Sequence, residues 1–349
     1  MVGSTEYAVG NYEFKIEDFF PINIMNKITD VRVDEPEVIK QYAQNRKRRQ
    51  KIAPDGKLTI LAADHPARRI TKSGDDPLLM GNRQEYLGRV LRVITSPDCD
   101  GVMATTDIIE DLFIVSYLVH EQGGPDFLAE KVILGCMNRG GLGGCTFEMD
   151  DTFTSFTADS ISTLSLDGAK MMFRLEVNSY DSAKTITACA HAVNSLNELG
   201  IPAFIEPLAV VKTESGYKNV KTAADQIKMN GIASALGDSS LGIWLKIPYC
   251  EDFPLVVKST ACPILILGGE SLGNPVPVLN DFADGMKAGK NVRGALVGRN
   301  VLFPGKDDPA AVAAAVYKIV HEGLDANNAV AYLQSVRGRE SDVLKKHFA

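Results

Sequence analysis

Leu58-Thr59-Ile60-Leu61-Ala62-Ala63-Asp64-His65-Pro66 is the stretch on which the architecture turns. A short, almost uninterrupted apolar run reads as a parallel strand buried on both faces. A doubly wound open sheet would follow its first strand with a glycine-rich turn. Here a carboxylate, an imidazole and a proline follow instead, so the stretch reads as the first strand of a barrel with polar groups at its carboxyl end.

Working outward, seven more runs of the same kind follow, and the eight cover residues 58–63, 101–104, 132–136, 170–175, 203–205, 243–247, 264–267 and 294–297. Between and after them lie helical patterns at 83–94, 108–120, 160–166, 181–199, 223–235, 254–258, 276–288 and 310–323, several closed by glycines such as Gly200 and Gly323. Asp181 reads as the N-cap of the fourth of these. Eight alternations are the number that closes a (β/α)8 barrel and leaves no strand edge. The expected layout is an N-terminal extension over 1–56, a barrel over 57–325 and a helical tail over 326–349. The extension, with its apolar stretch 14–20 and a polar helix near 38–51, is expected to pack across one end of the barrel or to make an oligomer contact.

A chain of 349 residues with 45% apolar and 23% charged residues can bury a large core. Its net charge of −7 argues against a protein built to grip nucleic acid, which needs clustered cations. The one dense basic run, Arg46 to Lys51, reads as a solvated stretch on a helix. Six cysteines without a CxxC pair suggest neither a zinc ribbon nor a redox dithiol. The first eleven residues lack the basic-then-apolar order of a signal peptide, and no apolar run could span a bilayer, so the expectation is a cytoplasmic protein with no membrane partner.

In such barrels chemistry sits where the carboxyl ends of the strands meet. The sixth run, Gly242-Ile243-Trp244-Leu245-Lys246-Ile247-Pro248, carries a lysine inside an apolar strand. Burial depresses an amine and frees it to attack a carbonyl. The plainer reading is a strand-end lysine paired with Glu206. The first run ends at Asp64 and the fifth at Glu206, each either a proton carrier beside that lysine or its salt-bridge partner. On the fourth run, alternation puts Lys170, Met172 and Arg174 on one face. Lys170 then either presses on Lys246 by like charge, orients substrate hydroxyls and phosphate, or lies idle at the closed end.

The seventh and eighth runs end Gly268-Gly269-Glu270 and Gly298-Arg299-Asn300. Glycines there let backbone N–H groups approach an anion, and Arg299 adds a cation. The loop Asn138-Arg139-Gly140-Gly141-Leu142-Gly143-Gly144 lacks the ending of a P-loop and reads as a lid or an irregular connection. The five histidines show no metal-ligand spacing and no GxSxG elbow is present.

Ala63-Asp64-His65, the Lys170 run, Glu206-Pro207-Leu208, Trp244-Leu245-Lys246-Ile247-Pro248, Gly268-Gly269 and Val297-Gly298-Arg299-Asn300 together resemble the DeoC/LacD class I aldolase superfamily over roughly residues 58–304. The chain looks most similar to a bacterial (β/α)8 branch associated with inositol catabolism, and it also resembles tagatose-bisphosphate and archaeal-type fructose-bisphosphate aldolases. The resemblance implies a Schiff base at Lys246, proton transfer by Asp64 and Glu206 with help from Lys170, and a metal-independent reaction without cofactor. It further implies a phosphorylated sugar as partner, its phosphate held by the Gly268-Gly269 and Gly298-Arg299 turns, in a homo-oligomer; His65 and Arg174 are further candidates for binding substrate or phosphate. Two departures stand out: Pro66 occupies a position where relatives carry Gly or Arg, and the loop at 140–157 is expanded. A lysine-dependent acyl transferase or isomerase, or a sugar-phosphate binder without catalysis, are the rival functions.

Overall fold

The computed structural model describes residues 7–214, 216–339 and 343–348. Strands β1 Leu58–Ala63, β2 Gly101–Ala104, β3 Val132–Cys136, β4 Gly168–Leu175 and β5 Ala203–Thr213 are followed by β6 Gly216–Val220, β7 Ile243–Pro248, β8 Ile264–Leu267 and β9 Val292–Val297. Every strand except β6 pairs in parallel with two neighbours. Because β9 also pairs with β1 and β4 with β5, the eight parallel strands form a closed barrel. The (β/α)8 expectation holds. The sequence reading stops its fifth strand at residue 205, whereas β5 runs on and folds back as an antiparallel hairpin with β6. The polar residues of 212–219 concealed that extension, since its pairing exposes both faces to solvent.

Alternation along the strands divides the apolar residues between two cores. Leu58, Ile60, Val132, Leu134, Phe204, Leu265 and Leu296 fill the barrel, where Phe204 stacks on Trp244 at 5.6 Å. Ile52 and Ala53 close its amino-terminal end. Residues of the opposite register, such as Leu61, Val102 and Ile133, join the surrounding helices in the larger core. The inner face therefore passes from apolar at the bottom to Asp64, Lys170, Glu206 and Lys246 at the top, all buried.

The N-terminal helices Ile22–Asp34 and Glu37–Asn45 lie along the flank of helix Thr106–Glu121, and the segment after them reaches a barrel end. The basic run lies beyond the helix expected to carry it, and although Lys47, Arg48 and Lys51 are exposed, its arginines are engaged. The helix stops at Asn45, and Arg46 is buried with its guanidinium 2.8 Å from Asp167. Arg48 shares Asp167, while Arg49 meets Asp100 at 2.9 Å. The reason is architectural: Asp100 also accepts the Thr59 N–H of β1 and Asp167 that of Ile133 in β3, so these arginines neutralise carboxylates that fasten strand beginnings. Asp181 is likewise not a cap. It is the first residue inside helix Asp181–Glu198, and Tyr180 precedes it without a side-chain capping bond.

Candidate active site

Register brings the charged residues together. Ile205 of β5 pairs with Leu245 of β7, so the next pair sets Glu206 beside Lys246. Met172 of β4 pairs with Glu206, placing Lys170 one inward-facing position below it. The result is a chain of contacts. Glu206 Oε2 lies 2.9 Å from Lys246 Nζ and 2.9 Å from Lys170 Nζ, and Lys170 Nζ reaches Asp64 Oδ2 at 3.2 Å. Lys170 therefore belongs to the mouth and not to the closed end.

The two amines diverge within one cluster. Burial lowers Lys246, and Lys170 beside it adds to that, so that the attraction of Glu206 leaves it still below an ordinary lysine. Burial acts in the same sense on Lys170, but Glu206 and Asp64 together outweigh it and raise this lysine. Burial would raise Glu206, yet the two lysines bring it down to about 2. Asp64 is also held well below its usual range, because Lys170 and Arg68 overcome its desolvation. The arrangement is one amine biased towards neutrality beside a fixed ammonium and two carboxylates, the divergence that separates nucleophile from acid–base partners.

Asp64 Oδ1 is buried and has no hydrogen-bond partner among the described residues. Nor do the buried Nε atoms of Arg68 and Arg299. An unpaired buried acceptor and two unpaired donors around one mouth are what a bound polar molecule would satisfy. Arg68, on the 3-10 turn Pro66–Arg68 after β1, stands 3.7 Å from Asp64 Oδ2. Sequence reading missed it. Its only signal is the spacing of four from Asp64, which on a single turn returns the side chain to that carboxylate.

The remaining candidates divide. His65 is buried, and its ring fills the space beside Gly298, where an added Cβ would lie 2.5 Å from His65 Cε1. Gly298 thus makes room for an imidazole. Gly269 turns with φ +73° close to the Lys221 amine, and the Gly268 carbonyl accepts a 2.6 Å bond from Asn300 Nδ2. Arg299 stands 3.8 Å from Glu270 at the rim. Arg174 shares the inner face with Lys170, but its guanidinium binds Glu148 at 2.7 Å and the Gly140 carbonyl at 3.0 Å. It ties the loop after β3 to β4. Asn138 does the same from the base of that loop, accepting from Met172 N at 2.7 Å and donating to Met172 O at 2.7 Å.

Fold and mouth together define a (β/α)8 barrel protein with a buried pair of lysines sharing carboxylates at the carboxyl ends of its strands. The Cgl0159-like family model matches residues 56–319, and the chain belongs to that family. The solved structure of Cgl0159 from Corynebacterium glutamicum is 33% identical over 86% of this chain and 98% of its own, with a TM-score of 0.80. The uncharacterized aldolase SSO3226 of Saccharolobus solfataricus is 32% identical over 142 residues, 40% of this chain and 48% of that protein. The chain spans about half the length of that curated relative. A Schiff-base-forming fructose-1,6-bisphosphate aldolase shares the fold at a TM-score of 0.55 and 19% identity, covering 81% of this chain and 100% of its own. Among the described residues no helix is long and apolar enough to cross a membrane.

Proposed function

We propose that this protein is a class I aldolase that forms its Schiff base on Lys246. The observation that carries the reading is the divergence of Lys246 and Lys170 around a single oxygen of Glu206. A structural ion pair has no need of two lysines for one carboxylate oxygen, whereas imine chemistry needs one amine with its lone pair free and a proton store beside it.

The neutral amine of Lys246 adds to a ketone carbonyl. The carbinolamine then loses water, its departing hydroxyl taking a proton from the Lys170–Glu206 pair. The resulting protonated imine is the electron sink. Asp64, ionised at neutral pH, offers its unpartnered Oδ1 to the substrate hydroxyl β to the imine carbon. Loss of that proton breaks the C–C bond, the aldehyde departs and its bonding pair enters the enamine. Reprotonation of the enamine and addition of water release the ketone and restore Lys246.

Arg68, Arg299 and the Gly268-Gly269 turn favour a phosphate on the substrate, and the substrate class we favour is a phosphorylated ketose or keto-acid sugar that yields dihydroxyacetone phosphate. 2-Deoxy-5-keto-gluconate 6-phosphate, the substrate expected of an inositol-catabolic branch, and a ketose bisphosphate are the first candidates to screen. The test is intact mass after dihydroxyacetone phosphate and sodium borohydride. A gain in the native protein and none in Lys246→Met is expected. A gain that survives in Lys246→Met, or no gain in either, removes this mechanism; no gain together with transfer of label to coenzyme A would favour the acyl transferase.

A further inference from the structure

Tyr86 is fully buried on helix Arg83–Ile94, and its ring is held by stacking on Phe303 at 6.2 Å. Its hydroxyl has two neighbours, both on His65: the backbone N–H at 3.4 Å and Nδ1 at 3.2 Å. The N–H can only donate. A phenol has one proton, and a buried O–H left without an acceptor forfeits the hydrogen bond it would make in water. Nδ1 is the acceptor at hand, its other polar neighbour Asp64 Oδ1 standing off at 3.9 Å, beyond hydrogen-bond reach, so Tyr86 donates to Nδ1, and the proton of a neutral imidazole is then on Nε2.

The imidazole is neutral at physiological pH, since burial brings His65 down to about 3 and outweighs the opposing pull of Asp64. The charges of Arg68 and Arg299, whose Nε atoms are unpaired, both act on this ring, and the ring and Arg68 both approach Asp64, at 3.9 Å and 3.7 Å. Its Nε2 edge runs along Gly298, 3.0 Å from where a Cβ would stand. Any side chain at that position would cover it.

We infer that Tyr86 is a positioning residue that locks His65 as an Nε2–H donor towards a substrate phosphate held between Arg68 and Arg299. A neutral donor suits this place. A third cation beside two arginines would weaken both and would draw Asp64 away from its catalytic pairing, whereas an N–H dipole completes the anion's coordination at no charge. The inference rests on the reading of the mouth as a sugar-phosphate site and does not depend on which sugar is cleaved.

The experiment is imidazole 15N NMR of the full chain, native and Tyr86→Phe, titrated with inorganic phosphate. In the native protein the His65 signals should be those of the Nε2–H form, with Nε2 moving as phosphate binds. In Tyr86→Phe the two tautomers should mix and the phosphate dissociation constant should rise roughly tenfold, the size of one hydrogen bond to a charged group. Borohydride trapping should show the same rise in half-saturation for dihydroxyacetone phosphate, an unchanged plateau, and no change for dihydroxyacetone. His65→Gln carries an amide N–H near the Nε2 position; in that background the tyrosine change should alter nothing, which separates positioning from loss of folding. An Nδ1–H form in the native protein, a silent Nε2 on phosphate addition, or equal weakening of both ketones overturns the inference. Failure of native protein to trap either ketone would remove the aldolase reading alone, and the phosphate titration would still decide the role of Tyr86.

Discussion

Lys246 and Lys170 meet the same oxygen of Glu206, and Lys170 has a second carboxylate in Asp64 that Lys246 does not contact. That one extra partner decides which amine keeps its proton. Replacing Lys170 by Met removes the like charge that helps hold Lys246 down and leaves Glu206 to Lys246 alone. Lys246 must then rise, so fewer molecules carry a free amine near neutrality. The expected result is a fall in trapping rate at neutral pH of about 10²-fold, within the range for a lost acid–base group, with the pH midpoint of trapping displaced upward. An unchanged midpoint would mean that Lys170 does not set the basicity of Lys246. Glu206→Gln strips the cluster of the carboxylate both lysines share and leaves a buried ammonium under-compensated. Breaking a buried pair in this way costs about 3–5 kcal/mol, which chemical denaturation should detect. The meeting of Lys246, Asp64 and Glu206 at the mouth was legible in the sequence because the lysine interrupts an apolar run and each carboxylate ends one. Arg68 and Tyr86 were not, because one lies on a turn beyond its strand and the other on a helix, and neither position is marked by periodicity.

The elements that frame the mouth differ in how firmly they are held. The loop after β3 looks free in sequence, with four glycines within 138–144, yet Asn138 and Arg174 pin it to β4. Two of those glycines test the pinning. Gly140 and Gly141 both have positive φ, +73° and +70°, but an added Cβ meets the Met172 thioether at Gly140 and the Glu148 carbonyl at 2.1 Å at Gly141. A flexible side chain can move aside and backbone cannot. Gly141→Ala should therefore cost more stability than Gly140→Ala, the latter near the ~1–3 kcal/mol of a strained backbone position, and it should loosen the Arg174–Glu148 pair. Equal costs in denaturant melts would show that only φ matters there. The barrel strands were legible from runs of buried residues. The β5–β6 hairpin was not, because a ribbon exposed on both faces carries no hydrophobic alternation, and neither was the end of the Glu37–Asn45 helix, where arginines leave the helix to reach Asp100 and Asp167.

At the scale of the molecule, the two ends of the barrel use charge for different purposes. The mouth leaves a carboxylate oxygen of Asp64 unpaired, whereas at the amino-terminal end the Asp100 and Asp167 carboxylates are paired at both oxygens. There a hollow of about 800 Å³ is bordered by Arg49, Lys51, Asp55, Asp100 and His321. His321 joins the last barrel helix to this end, its Nδ1 2.7 Å from Asp55 and its Nε2 2.9 Å from Asp100, which in turn holds Thr59 of β1. Burial would lower His321, but the two carboxylates outweigh it and its pKa is raised. A histidine whose folded value lies above its unfolded value of about 6.5 contributes stability that is fully present below that pH and is lost as pH rises through the folded value. Asp100 has the opposite sign: held below its ordinary value, it contributes above that value and loses its contribution as acid protonates it. The barrel closure should thus be firmest between the two titrations. Denaturation midpoints measured from mildly acid to alkaline pH should fall on the alkaline side in the native protein, and His321→Gln, which keeps polar contacts but cannot carry the proton, should flatten that fall while lowering the acid-side midpoints. A slope that persists in His321→Gln would assign the alkaline loss to another group and leave His321 a neutral hinge between the last helix and β1.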